Sequence, residues 1–327
     1  MPFSTTEVAP GIVRIESVLG PRPFAQYLLR GERTLLVDTG VTETPDDVIL
    51  PAFRALGLDP AALDYVLISH ADADHFGGNE GIRRAAPRAI LCAHAADGVW
   101  IGDRERIVRE RYGWYADHGP DADYDAAVKT WQQEAMGADV PVDLLLTGGE
   151  RFRLGPALTV EVLHLPGHTA GHLGLWDPTS RTAIVTDAAM GSGLLDHAGT
   201  VVHPPPYFDV AAYEASAKKL RALAPARLLT AHYPVIEGAA VDAFLADTVA
   251  FIDRVRQATR RALQEEREAT LGGLLSRLNP ELGPFTSMPN ELCGPIRAHL
   301  GELVVAGEAE PIPGSAPPAW RAMGAAR

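Results

Sequence analysis

The stretch ISHADADHFGG, residues 68–78, sets His70, Asp72, Asp74 and His75 within six positions and closes on two glycines, Gly77 and Gly78. Carboxylates and imidazoles packed together in an interior need charge partners or a metal, because burial strips their hydration without compensation. The run DYVLISH leading into the cluster is apolar and reads as a buried strand ending at His70. A strand end is where layered α/β folds carry their chemistry. Taken alone, the cluster is equally an acidic, solvated loop after a strand, so its meaning rests on the rest of the chain.

Three more strand-like runs end on the same residue types: LTVEVLHLPGH with His168, RTAIVTD with Asp187, and ARLLTAH with His232. Each side chain would therefore leave a sheet at the same kind of position. Upstream, GIVRIES, FAQYLLR and RTLLVDTG are short β runs separated by Gly and Pro, and TPDDVILPAFRAL has a helical pattern. Residues 94–140 carry charged helical stretches and many aromatics (Trp100, Tyr112, Trp114, Tyr115, Tyr124, Trp131) and interrupt the β pattern as an insertion. That insertion is either helical packing or a lid that shapes an apolar pocket. DVAAYEASAKKLRAL reads as an amphipathic helix, and the segment from Ala239 is helical with Val241, Phe244, Leu245, Thr248, Ile252 and Val255 on one face. The division expected is 1–238 for a catalytic domain and 239–327 for a helical C-terminal region. The final GSAPPAWRAMGAAR is expected to be a loosely held tail.

The order of motifs from LLVDTG to TAHYP, residues 35–234, resembles the metallo-β-lactamase superfamily: an H-x-H-x-D-H loop followed by GG, a PGHT turn, a strand-terminal Asp and a late His. The resemblance implies an α/β fold, a four-layer αββα sandwich with a small helical C-terminal extension. It implies two divalent metal ions, zinc first: His70, Asp72 and His168 on one, Asp74, His75 and His232 on the other, and Asp187 bridging. In the family pattern Asp38 of LLVDTG is a turn-capping carboxylate beneath the site, and the C-terminal pattern resembles the winged-helix-like appendage of some superfamily hydrolases. Gly77 and Gly78 suit a tight turn where a side chain would crowd the metals.

Asp72 stands where most members have histidine. Two divalent ions, three carboxylates and a bridging hydroxide then cancel to a neutral core, which tilts the expectation toward iron or manganese and keeps open a dinuclear-iron oxidoreductase acting on oxygen or a peroxide. The flavodiiron branch of the same fold also carries a carboxylate here, although no flavodoxin-like segment follows in this chain. The leading expectation is hydrolysis of a small-molecule ester, thioester or lactone by a metal-activated water that Asp74 orients as the catalytic carboxylate. A nuclease acting through the terminal module is the third reading.

Composition narrows these readings. The chain has 327 residues, 46% of them hydrophobic, enough for a large core, and a formal net charge of −13 that argues against a protein devoted to the phosphate backbone. With Glu302, Glu308 and Glu310 near the wing-like end, packing on the main domain or a homodimer is expected there rather than nucleic acid. Cys92 and Cys293 are far apart and form no metal or redox motif, which fits a reducing compartment. The opening residues lack a basic stretch followed by an apolar run, and no segment reaches the roughly 18 apolar residues of a membrane span. A cytoplasmic protein with no membrane contact is expected. His164 and His172 flank His168 and are assigned structural or hydrogen-bonding roles, His94, His118, His197 and His203 ordinary surface or pocket roles, and Tyr207, in a rigid PPPYFDV loop, is a weak candidate for substrate contact.

Overall fold

Side chains that alternate between two apolar surroundings define the layers of this chain, for which a computed structural model describes residues 2–323. Seven strands lie in chain order in one sheet: β1 (Ser4–Ala9), β2 (Ile12–Leu19), β3 (Arg22–Arg30), β4 (Thr34–Val37), β5 (Tyr65–Leu67), β6 (Ile90–His94) and β7 (Leu144–Leu146). A second sheet uses β8 (Arg151–Gly155), β9 (Leu158–His164), β10 (Leu173–Asp177) and β11 (Thr182–Ile184). After a small hairpin, β12 (Leu194–Leu195) and β13 (Val201–His203), it is completed by β14 (Arg227–Leu229) and β15 (Ile236–Glu237), in the order β15-β14-β11-β10-β9-β8.

On β3, Ala25, Tyr27 and Leu29 face the space between the sheets while Leu28 faces outward; on β4, Leu35 and Val37 divide from Leu36 in the same way. The second sheet contributes Val160, Val162, Leu175, Ile184 and Leu229 to the inter-sheet core. Its other face, with Leu163, Ala183, Val185 and Leu228, is covered by Leu220 of the helix Val210–Leu223 and by Val241 and Leu245 of the helix Ala239–Glu266. A period of two on strands, answered by apolar stripes on helices, produces the α/β/β/α layering. Among the described residues no helix is long and apolar enough to cross a membrane.

Beyond Glu266 the chain adds β16 (Glu268–Thr270), two helices (Leu271–Leu282 and Cys293–Val305), then β17 (Ala309–Pro311) and β18 (Ala319–Ala322), with β18 central in a three-stranded sheet. Phe285, Leu292, Cys293 and Ile296 belong to the same apolar cluster as Tyr112, Tyr115 and Tyr124 of the insertion. The C-terminal region therefore packs directly on the segment that overlies the first sheet. Its acidic residues are paired, Glu302 with Arg256, Glu308 with Arg260 and Glu310 with Arg321.

The expectation of a loose tail is corrected over residues 319–322. Trp320 is buried under the guanidinium of Arg297, and β18 supplies hydrogen bonds to strands on both sides. A single apolar anchor and two ladders hold a Pro- and Ala-rich segment whose composition suggested nothing of the kind. Residues 324–327 of that segment lie outside the described residues.

The two glycines after His75 have a reason other than the expected one. A Cβ on Gly77 would sit 1.8 Å from the Ala135 carbonyl oxygen, and one on Gly78 would sit 2.2 Å from the Thr39 oxygen and against Pro45. Both have ordinary negative φ. What they permit is close approach of the insertion and of the loop after β4 to the short helix Ala73–Phe76, rather than room for metals. Gly77→Ala is accordingly expected to destabilise the protein by about 2–3 kcal/mol, read as a lower denaturant midpoint at unchanged slope.

Candidate metal centre

Strand register brings the polar strand-end residues to one edge. Strands β11 and β14 run parallel with Ile184 opposite Leu229, so Asp187 and His232, each three residues further on, leave the sheet side by side. In the first sheet Val37 lies opposite Leu67, which sets Asp38 next to the segment Ile68–His70. Asp38 and Thr186 both hold a positive φ. A left-handed backbone is unfavourable for such residues, above all for a β-branched threonine, and is maintained here by the surrounding contacts.

All seven side chains singled out in the sequence converge. Asp72 Oδ2 lies 2.8 Å from His168 Nε2 and 3.3 Å from His70 Nε2. Asp187 Oδ2 lies 3.3 Å from His75 Nε2 and 3.5 Å from His232 Nε2, and Asp74 Oδ2 lies 3.6 Å from His232 Nε2 and 3.9 Å from His75 Nε2. Donor atoms of His70, His75 and Asp187, and of Asp74, His75 and His232, fall within 4.8 Å of one another. The His70, His168 and His172 rings form a third such group; His172 Nε2 is engaged by the Val185 carbonyl and Thr186 Oγ1, its Nδ1 is buried without a partner among the described residues, and its ring stacks on His70.

Every converging imidazole is tied at its other nitrogen. His168 Nδ1 bonds the Pro206 carbonyl at 2.7 Å, His232 Nδ1 the Pro23 carbonyl at 3.2 Å, and His75 Nδ1 the Asp38 carboxylate at 2.8 Å. Carbonyls and carboxylates only accept, so these nitrogens carry the proton. The Ser69 hydroxyl donates to Asp38 Oδ2 and so accepts from His70 Nδ1 at 2.9 Å. The Nε2 lone pairs of all four rings therefore face inward, and those of His70 and His75 are buried with no hydrogen-bond partner among the described residues. A buried acceptor left open beside three carboxylates fits divalent cations, and the oxygen behind each ring fixes its tautomer.

Charge in the cluster is finely divided. Burial alone would push the His75 imidazole down, but Asp74, Asp38 and Asp187 outweigh it and hold it well above its ordinary range. Burial drives His70 the other way, well below, with His75 and His172 adding to the effect. Asp97, fully buried, ties the two ligand-bearing loops together by accepting from the amides of Ala71 and Gly171 and the hydroxyl of Thr169.

One residue that the sequence did not reveal changes the charge argument. Arg111, from the insertion, lies against Asp72 Oδ1 at 2.6 Å and 2.7 Å through two of its nitrogens, with side-chain exposures of only 9% and 19% for the two partners. Burial would raise the Asp72 carboxyl, yet the Arg111 guanidinium, with the His168 and His70 rings beside it, holds it well below the usual range. Asp72 occupies the N-cap position of the helix Ala73–Phe76 but makes no capping bond, its two oxygens being turned to Arg111 and the histidines. The positive charge that aspartate removes from the core is thus returned by a guanidinium at contact distance.

A small cavity opens over these groups, lined by Asp72, Asp74, His168, Asp187 and His232 together with Arg22, Tyr112, Trp131, Gln132, His203 and Glu291. Glu291, from the C-terminal region, bonds His203 Nε2 at 2.8 Å and the Tyr124 hydroxyl at 2.9 Å. A second, larger and more apolar cavity of about 470 Å³ adjoins it at His168, lined by Arg111, Trp100, Trp114 and Phe208. Tyr207 is not a substrate contact: it is fully buried, with its hydroxyl on His299. His94 stacks on His164, and His118 lies tilted against Trp114 with its Nδ1 on the Trp114 carbonyl.

Residues 19–232 match the family described as the Metallo-beta-lactamase superfamily. The hydroxyacylglutathione hydrolase of Methylococcus capsulatus is 28% identical over 277 residues, covering 80% of this chain and 83% of that protein. A protein named diflavin flavoprotein A 2 in Nostoc sp. is 39% identical over 70 residues, 21% of this chain and 12% of its own. The crystal structure of a metallo-beta-lactamase family protein from Thermus thermophilus has a TM-score of 0.75 over 97% of this chain and 100% of that one, at 19% identity, a likeness of fold.

Because Arg111 and Asp72 are buried together, their replacements should couple. Asp72→His leaves the guanidinium without its counter-charge and is expected to cost about 3–5 kcal/mol, whereas adding Arg111→Met should recover most of that loss. A double-mutant cycle in denaturant measures the coupling.

Proposed function

This chain belongs to the metallo-beta-lactamase superfamily and is a metal-binding hydrolase, and from that premise we propose that it cleaves an ester, thioester or lactone of a small molecule at a two-metal centre. The observation that carries the proposal is the pair of buried, partnerless Nε2 atoms on His70 and His75, facing three carboxylates. His70, Asp72 and His168 would hold one divalent ion and Asp74, His75 and His232 the other, with Asp187 between them. Such ions polarise a carbonyl and lower the pKa of water. Zinc is the first choice, since Arg111 removes the charge argument for harder oxygen-loving metals.

The chain's own groups do the rest. Asp74 lines the cavity and, unlike Asp72, accepts no hydrogen bond from any described residue, which supports a role in which its free carboxylate oxygen would orient a water and hold a proton on the way to the leaving group. Tyr112, Trp131 and Gln132 from the insertion and Leu194 from the second-sheet hairpin narrow the approach and exclude bulk solvent. The name of the Methylococcus relative, a hydrolase of hydroxyacylglutathione, supports an acyl substrate. A dinuclear-iron reading is supported by the 70-residue match to the flavoprotein.

A panel of lactones, thioesters and aryl esters assayed with zinc-loaded protein tests the proposal. Turnover of at least one class is expected, with Asp74→Ala lowering kcat about 10²–10⁴-fold in a variant whose circular dichroism is unaltered. Bound iron with a ligand-to-metal absorption band and no hydrolysis would favour the redox reading instead.

A further inference from the structure

Arg22 opens β3 and lines the metal-centre cavity, yet it is only 6% exposed and its Nε has no hydrogen-bond partner. No hydrogen bond or ion pair is made by its side chain among the described residues. The other charged groups on the cavity wall are balanced within the protein or face the centre: Asp72 is paired with Arg111 and Glu291 with His203, while Asp74 and Asp187 face His75 and His232. A guanidinium removed from water without a counter-charge is unfavourable unless an anion arrives to meet it.

The residue is also held in place. Its neighbours on either side are prolines whose carbonyls are engaged, Pro21 by the His197 amide and Pro23 by His232 Nδ1. Two residues along the same face of the strand, Phe24 stacks on the His232 ring with centroids 5.3 Å apart. Arg22 is therefore fixed relative to His232, on the wall of the cavity that the substrate enters.

We propose that Arg22 receives a carboxylate carried on the acyl part of the substrate, so that the compounds cleaved are monoesters or monothioesters of dicarboxylic acids, or lactones of hydroxy-dicarboxylic acids. This rests on the hydrolase reading of the same cavity. A planar guanidinium matches a carboxylate by two parallel hydrogen bonds. Selectivity follows from the buried group itself: a neutral acyl chain leaves Arg22 unpaired, and a substrate with the second carboxylate does not.

The test compares p-nitrophenyl hydrogen glutarate with p-nitrophenyl butyrate on zinc-loaded protein and, by calorimetry, the binding of glutaramate with that of neutral glutaramide and of inorganic phosphate. Wild type should prefer the glutarate ester by tenfold or more in kcat/KM. Arg22→Gln should erase that ratio, chiefly through KM, and abolish glutaramate binding; Arg22→Lys should restore part of both. A purely structural role would depress both esters alike and leave their ratio, and such a result overturns the proposal, as does glutaramate binding that survives Arg22→Gln or phosphate binding that exceeds it. Should wild type cleave neither ester, the hydrolase reading is in trouble for these substrates, while the calorimetric comparison still decides the role of Arg22.

Discussion

Four histidines point their Nε2 atoms inward because their Nδ1–H groups are tied to oxygens of the scaffold: Pro206, Pro23, Asp38 and, through Ser69, Asp38 again. Two of those oxygens belong to prolyl carbonyls, one in a loop and one at the start of β3, and the third and fourth tethers meet on one carboxylate fixed at a strained backbone position. Imidazoles that could otherwise flip or exchange tautomer are thereby committed before any ion arrives. The sheets serve this arrangement through register, since the parallel pairing of β11 with β14 puts Asp187 and His232 abreast.

Electrostatics then couples the insertion to the centre. Arg111 reaches the cluster from a segment that packs on the first sheet, and its pairing with Asp72 makes that segment part of the charge balance as well as part of the wall. Glu291 does the same for the C-terminal region through His203 and Tyr124. Three separate stretches of chain thus define one cavity. Within it, negative groups are either paired or turned to the ligand cluster, and Arg22 stands apart as a buried cation awaiting a partner.

The residues of the cluster were legible in the sequence because each is announced locally, by an apolar run that ends on His or Asp. HADADH, PGHT and TAH are such announcements, and the helix Ala239–Glu266 shows its buried stripe in the same local way. Arg111 was not legible: it lies 39 residues from Asp72, in a charged helical stretch where arginines ordinarily face solvent. Arg22, Asp97 and Glu291 share that difficulty, since their roles depend on which distant backbone comes to rest beside them. Gly77 and Gly78 were read as turn formers when their role is close approach, and β18 was missed because one tryptophan in a Pro- and Ala-rich stretch carries little periodicity. Tyr207 misled for the opposite reason, a polar aromatic in a loop that turns out to be buried on His299.

Counting metal ions tests the central claim most directly. Protein stripped with a chelator and titrated calorimetrically with zinc, then passed over a desalting column and analysed by elemental mass spectrometry, should retain two ions per chain, with His70→Ala and His232→Ala each retaining fewer. Retention of no zinc, manganese or iron by the wild-type chain, or unchanged retention in both variants, would contradict the account.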